Sequence, residues 1–258
     1  MTSIDDRYEL VRKVEDSLRR FGVRSATRLI VAVSGGADST ALLCSLIDST
    51  RLKTEITAVH VVHGLRARAE HERDVSFLES LCSELGVELR VRRIEEGRIR
   101  EIASTENRST EEVARELRYE MIEKAAENGG AEWIAVAHTM DDQLETLLMR
   151  LLQGGHLQGM SGIPEQRRKI IRPLLGCTRQ EVLDYLAGRG VDYRVDETNS
   201  DERYLRNRVR RRLIPVVRSI FPSAVKAAAT FTNQAAQING ILDTCAALLL
   251  PWAPGAKG

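Results

Sequence analysis

Leu29-Ile30-Val31-Ala32-Val33-Ser34-Gly35-Gly36-Ala37-Asp38-Ser39-Thr40 runs from an unbroken apolar stretch, through a glycine pair, into a helical pattern that lasts to Asp48. A short apolar run closed by glycines and followed by a helix reads as a buried strand, a tight turn and a helix N-terminus. That order of elements makes an anion site. Gly35 and Gly36 let backbone N–H groups converge with no Cβ in the way. The first helical turn adds unpaired N–H donors and the positive end of the helix dipole. Ser34 and Ser39 supply hydroxyls, and Asp38 can help hold a magnesium ion. A pyrophosphate fits this description. The plainer reading is a helix start with Asp38 or Ser39 as N-cap. No Gly-Lys-Ser/Thr follows, so the loop is not a Walker loop.

Outward from this turn, short apolar runs alternate with longer amphipathic ones. Ile56 to Val62, Val87 to Ile94 and Trp133 to Ala137 read as further strands. Glu70 to Leu85, Thr110 to Asn128 and Asp141 to Leu152 read as helices, with Ser109 or Thr110 as an N-cap and Gly129 as a stop. The alternation predicts an α/β fold, a parallel sheet with helices on both faces. Ligands of such sheets bind beyond the carboxyl ends of the strands, and Ser34, His60 and His138 all lie at such ends. Glu95 to Arg108 is polar and aperiodic, which predicts a surface loop that could serve as a lid. Gly154 to Arg168 is a second, glycine-rich loop, and its position after a chemistry-bearing helix favours a functional role. Helical patterns follow at Arg179 to Arg189, Tyr204 to Val217 and Ser223 to about Leu250. Residues 1–215 are expected to form one catalytic domain and 216–258 a small helical appendage. Pro251 to Gly255 reads as a linker.

Asp142 and Glu145 are three apart at a predicted helix start, so they share one face. Acids there also simply complement the helix dipole. At a strand-end crevice two carboxylates could bind an ammonium group, hold magnesium or act as a base. His138 reads equally as a hydrogen-bond donor to phosphate, or to a displaced oxygen, and as a neighbour of the helix cap. His60 to Arg66 ends a strand where a base could stack, with His63 and Arg66 within reach of phosphate. Arg115 and Arg118 share one helix face, where arginines most often pair with acids such as Glu111 or Glu112.

With 38 basic and 37 acidic residues, the net charge of +1 predicts no bulk attraction to a polyanion. Distribution says more. Arg167, Arg168, Lys169 and Arg172 form one basic group, and Arg203, Arg206, Arg208, Arg210, Arg211 and Arg212 form another. The second has almost no interleaved acids, so pairing within its own helix cannot account for it, and phosphate binding is favoured. No long uncharged apolar run suggests a membrane span, and Met1 to Arg20 is too polar for a signal peptide, so no membrane partner and a cytoplasmic location are expected. Cys44, Cys82, Cys177 and Cys245 have neither metal-site nor redox-pair spacing. Cys177 begins a helix, which could acidify it somewhat, although an unreactive thiol is the favoured reading.

The Ser-Gly-Gly-x-Asp-Ser loop matches the ATP pyrophosphatases. Together with His60 to Arg66, Arg115 to Tyr119, His138 to Thr146, the Gly154 to Gly162 loop, Arg172-Pro173-Leu174-Leu175, Thr178 to Glu181 and Asp196 to Pro215, it resembles the tRNA(Ile)-lysidine synthetases. The arrangement Tyr204-x-Arg206-Asn207-x-x-Arg210 after Asp196 to Asn199 is the most specific part. Val62 and Thr139 depart from the family's pattern. The resemblance implies an adenine nucleotide alpha hydrolase-like fold with a five-stranded type of parallel sheet. It implies a ligase that adenylates the wobble cytidine of tRNA(Ile) with a CAU anticodon and joins free L-lysine to it, using ATP and magnesium. Ser34, Gly35, Gly36, Ala37, Asp38, Ser39 and His60 would bind ATP, and Asp38 would assist the metal. Asp142 and Glu145 would hold lysine and, with Asp38 and His138, carry the catalysis. His63, Arg66, Arg115, Arg118, Arg206, Asn207 and Arg210 would contact tRNA or phosphate. The family often dimerises, and many members carry further C-terminal domains that this sequence is expected to lack. A tRNA thiolase of the same superfamily, an amidating relative such as NAD synthetase and a catalytically impaired tRNA-binding fragment are the competing readings. The thiolase would need catalytic cysteines or a cluster.

Overall fold

The computed structural model describes residues 4–65, 68–194 and 205–249. Arg66, the Asp196 to Tyr204 stretch with Arg203, and the Pro251 to Gly255 linker lie outside the described residues. The chain separates into two compact units, residues 1–139 with 165–197 and residues 140–164 with 198–258.

The first unit is built on one sheet in the order β3-β2-β1-β4-β6-β5. Its strands are β1 (Arg28–Ala32), β2 (Glu55–Val62), β3 (Glu88–Arg93), β4 (Trp133–Ala135), β5 (Gln166–Arg167) and β6 (Ile170–Ile171). Five run parallel, as expected, and β5 adds an antiparallel edge through a tight hairpin to β6. The hairpin turns at Arg168, whose φ of 53° is left-handed. Part of the basic group at Arg167 to Lys169 is therefore this turn. The strand order reverses at β1, with β2 on one side and β4 on the other. A crevice at such a switch point is where open α/β sheets bind ligands.

Apolar side chains cover both sheet faces. On one, Leu29, Val31, Leu42, Leu43, Leu78, Leu174 and Tyr185 form a core with α1 (Ile4–Arg20), α2 (Ala37–Ile47), α3 (Arg68–Leu85) and α7 (Arg179–Arg189). On the other, Ile30, Val59, Val61, Ile134 and Ile170 pack against α4 (Arg98–Thr105) and α5 (Thr110–Asn128). Covering both faces explains why β1 reads as a continuous apolar run rather than an alternating one. α2 is enclosed nearly all round: Ala41, Leu42, Leu43 and Cys44 have no exposed surface. Its C-terminal Asp48 receives a bidentate pair from Arg189, at 2.9 and 3.0 Å, and the Tyr185 hydroxyl at 2.8 Å.

Two expectations need correction. Glu95 to Arg108 is not an aperiodic loop, because it contains α4. Ile99 and Ala103, four residues apart, are 3% and 7% exposed, so a narrow apolar stripe suffices for a short helix among charges. The N-terminal segment, read only as polar, holds α1, which buries Leu10, Val11, Val14 and Leu18. Its Glu15 is also buried and caps the turn after α2, accepting from Ser49 Oγ at 2.8 Å and from the Thr50 and Arg51 N–H groups at 3.0 Å.

The second unit is helical. It comprises α6 (Met140–Leu152), a 3₁₀ turn (Leu157–Ser161), α8 (Leu205–Arg208), a π turn (Val209–Leu213), α9 (Ile214–Ile220) and α10 (Ala224–Leu249). Leu144, Val209, Ile214, Val225 and Ala228 form its core. The loop after α6 is fastened by Gln143, whose amide accepts from Ile163 N–H at 2.7 Å and donates to Ile163 O at 2.8 Å. Gly162 is required there. Its φ is +65°, and a Cβ would lie 2.2 Å from Gln143 Oε1. Arg150 donates to the Gly159 and Gly162 carbonyls at 2.6 and 2.8 Å. No described helix is long and apolar enough to cross a membrane.

Candidate active site

The Ser34–Ser39 turn is organised from within. Ser39 Oγ accepts from Ser34 N–H at 3.1 Å, donates to Gly36 O at 3.0 Å and meets Ser34 Oγ at 3.1 Å. Ser39 is only 6% exposed, so it fastens the loop while Ser34 lies at the surface. Gly35 takes the left-handed conformation, φ +84°. Its carbonyl accepts from Thr40 Oγ1 at 3.3 Å and from Arg194 N–H at 2.8 Å. Gly36 is the N-cap of α2 and offers no side-chain cap. A helix start without a side-chain cap is a setting in which backbone N–H groups can bind an anion. Asp38 sits in that first turn, half-buried, in an ion pair with Arg179 at the start of α7.

β1 and β4 are hydrogen-bonded neighbours, Val31 opposite Ala135, so their following loops leave the sheet side by side. One loop is the glycine turn and the other carries His138. His138 Nδ1 receives a hydrogen bond from Arg172 Nε at 3.3 Å. Arg172 is 4% exposed. Burial lowers the pKa of its guanidinium, and a hydrogen bond to the Tyr119 hydroxyl works against that shift. Arg115 stacks over the Tyr119 ring, 5.5 Å from its centroid, rather than serving as a plain surface ion pair. Arg118 is exposed on the same helix.

His60 is placed within β2 rather than in the loop beyond it. It is 4% exposed and its Nδ1 lies 2.8 Å from Val33 O, bracing the strand that feeds the glycine turn. His63 is half-buried, edge-on to the buried His71 at 5.2 Å. With Gly64, Leu65, Glu96, Gly97, Ile99 and Arg100 it lines a cleft of about 490 Å³ at the carboxyl ends of β2 and β3. α4, expected as a lid loop, is one wall of this cleft.

In the second unit Asp142 and Glu145 share one face of α6, as their spacing predicts. They meet Arg206 and Arg210. Arg206 donates to Glu145 Oε2 at 3.0 Å and to Asp142 Oδ1 at 2.9 Å. Arg210 donates to Glu145 Oε1 at 2.5 Å, Glu145 Oε2 at 3.0 Å and Asp142 Oδ1 at 3.2 Å. Glu145 is almost enclosed, its side chain 4% exposed, while Arg210 keeps 43% of its surface. Asn207 lies half-buried between the two arginines in sequence. The acids that balance this basic segment come from another helix, which no pattern within the segment could reveal.

Burial raises the thiols of Cys44 and Cys82 to about 11 and that of Cys177 to about 12. The expected acidifying pull on Cys177 is therefore outweighed by desolvation, and the favoured unreactive reading stands. Among the described residues no three His, Cys, Asp or Glu side chains gather as a metal site. Arg179 and Arg194, which touch the glycine turn, were given no role from sequence, because nothing local marks an arginine that closes on a turn well over 100 residues away.

The PP-loop domain family matches residues 7–217 of this chain. The chain belongs to the PP-loop family. Proteins similar to it include the tRNA(Ile)-lysidine synthases of Borreliella burgdorferi (39% identical over 75% of this chain and 43% of the relative), Deinococcus radiodurans (40%, over 88% and 37%) and Thermus thermophilus (39%, over 86% and 42%). The chain spans less than half the length of these relatives. Among solved structures, the U34-tRNA thiolase NcsA from Methanococcus maripaludis with its [4Fe-4S] cluster superposes with a TM-score of 0.70 at 16% identity, over 88% of this chain and 78% of that one. The NH3-dependent NAD synthetase of Campylobacter jejuni gives 0.50 at 12% identity, over 90% and 94%. At such identities the likeness concerns the PP-loop fold alone.

Proposed function

We propose that the protein is an ATP-dependent ligase that joins L-lysine to the wobble cytidine of tRNA(Ile) with a CAU anticodon. The observation that carries this reading is the identity of 39–40% with curated tRNA(Ile)-lysidine synthases over 75–88% of the chain. The chemistry of the two residue groups agrees with it.

In the first half-reaction the O2 oxygen of cytosine attacks the α-phosphorus of ATP and pyrophosphate leaves. The glycine turn and the α2 N-terminus hold the departing pyrophosphate through backbone N–H groups, with Ser34 adding a hydroxyl. Asp38 suits a single-carboxylate magnesium site in which phosphates and water supply the other ligands. Magnesium there would neutralise phosphate charge. His138 donates a hydrogen bond to a phosphate oxygen or to the oxygen that becomes displaced. In the second half-reaction the ε-amine of lysine attacks carbon 2, and AMP leaves carrying the former carbonyl oxygen. Asp142 and Glu145 bind the lysine ammonium and take the proton it must lose, which leaves the ε-amine uncharged for attack. His63, Arg66, Arg115, Arg118, Arg206, Asn207 and Arg210 bind the anticodon loop or its phosphates. A loop base is cheaper to unstack than a paired one.

The thiolase reading finds no support in the described cysteines, whose three buried thiols are pushed away from the reactive thiolate form. The decisive experiment follows radiolabelled lysine into unmodified tRNA(Ile) CAU transcript, with ATP and magnesium, beside methionine tRNA. Label in the isoleucine transcript alone is expected. Absence of label from both, in protein that still binds ATP, would sink the proposal. A cytoplasmic location and a homodimer are part of the same reading, and sedimentation would check the dimer.

A further inference from the structure

His138 meets a donor that never gives up its proton. Arg172 follows β6, and β6 pairs with β4 through Ile134 opposite Ile170 and Ala135 opposite Ile171. Val136 N–H donates to Ile171 O at 3.0 Å, which carries the two segments forward together. Arg172 N–H is itself tied to Glu165 O at 3.0 Å. The guanidinium is enclosed, bonded to the Tyr119 hydroxyl, and the stack of Arg115 on Tyr119 fixes that ring in turn. It therefore has little freedom to turn away from His138.

A guanidinium is a donor only and stays charged at working pH. The Nδ1 atom that receives its N–H at 3.3 Å must offer a lone pair. A neutral imidazole has one N–H hydrogen, and with Nδ1 engaged as acceptor that hydrogen belongs to Nε2. Doubly protonated imidazole would set two cations and two N–H groups against each other. We propose that Arg172 is a positioning residue that holds His138 as the neutral Nε2–H tautomer, making it a hydrogen-bond donor and not a general base. The identity of the receiving oxygen rests on the proposed ligase reading, but the tautomer does not.

The test is long-range proton–nitrogen NMR of the full chain labelled with ¹⁵N-histidine, at a pH where histidine is neutral. The chain has five histidines, so the spectrum is small. His138→Gln identifies the signals by their loss. The wild-type protein is expected to give the Nε2–H pattern at His138, Arg172→Lys to retain it and Arg172→Leu to lose it. In lysine incorporation, Arg172→Leu should lower kcat on the order of 10²-fold while KM for ATP stays within about threefold, the signature of a lost oxyanion contact rather than lost binding. An Nδ1–H pattern in the wild type overturns the proposal, as does an unchanged Nε2–H pattern in folded Arg172→Leu. Should the leucine variant fail to fold, the wild-type pattern and the lysine variant decide. Because the spectrum needs no turnover, a protein that joins no lysine would still answer the question.

Discussion

Glu145 carries its charge almost out of reach of water and shares it with two guanidiniums. With two guanidiniums already on this carboxylate, a third cation added to the group must compete with them. The sequence made Asp142 and Glu145 legible, since three-residue spacing puts them on one helix face. It left the balance of charge illegible, because Arg206 and Arg210 arrive from more than 60 residues away. If these acids hold lysine, Glu145→Gln should raise KM for lysine on the order of 10²-fold, the usual cost of truncating one partner of an enclosed charge pair. ATP–pyrophosphate exchange with tRNA should stay within about threefold of wild type, because the glycine turn is untouched. Steady-state kinetics for both half-reactions decide the matter. Equal loss of both would assign Glu145 a purely structural part.

At the scale of elements, legibility followed local chemistry. α5 and α7 span the residues expected for them, and the structure selects Ser109 over Thr110 as the α5 N-cap; each helix begins with a reciprocal capping box, Ser109 with Glu112 and Thr178 with Glu181. α1 and α4 were missed because their few buried side chains are diluted by charge and acquire meaning only against the sheet. The α7 box has consequences beyond its helix. It sets the first turn, from which Arg179 reaches Asp38, and Glu181 also pairs with Lys13 of α1. Thr178→Ala should cost about 1 kcal/mol in urea unfolding. pH should modulate the loss. Burial alone would raise the Glu181 pKa, but Lys13 and the Thr178 donors lower it on balance. A depressed folded pKa gives stability that is present above the unfolded value of about 4.3 and is lost as pH falls through the folded value. Burial alone would lower the Lys13 pKa, but Glu181 raises it on balance. That contribution is full below about 10.4 and lost as pH rises through the folded value. The Thr178→Ala penalty should therefore be largest near neutrality and shrink in acid. A penalty unchanged at acid pH would mean that the box is not what Thr178 supplies.

Across the whole molecule, the alternation of strands and helices sufficed to read a parallel sheet, whereas the two-residue strands β5 and β6 are too short to leave a periodic trace. Charge behaves similarly: a net +1 conceals clusters that can act alone. If the protein binds tRNA as proposed, its affinity comes from a few local contacts, and counterion release gives their number. For a single-stranded anticodon loop the slope of log K against log salt is about −0.7 per phosphate neutralised, so three or four contacts predict about −2 to −3. Arg211 and Arg212 are exposed on the π turn beside the arginines that engage Asp142 and Glu145. Replacing both with alanine should flatten the slope by about 1.4 and weaken cognate and non-cognate stem-loops alike, since phosphate contacts position rather than specify. Filter binding of an anticodon stem-loop across a salt series measures this directly. If the slope held its wild-type value in the double variant, the RNA path would lie away from the π turn, and Arg115 and Arg118 on α5 would be the next pair to remove.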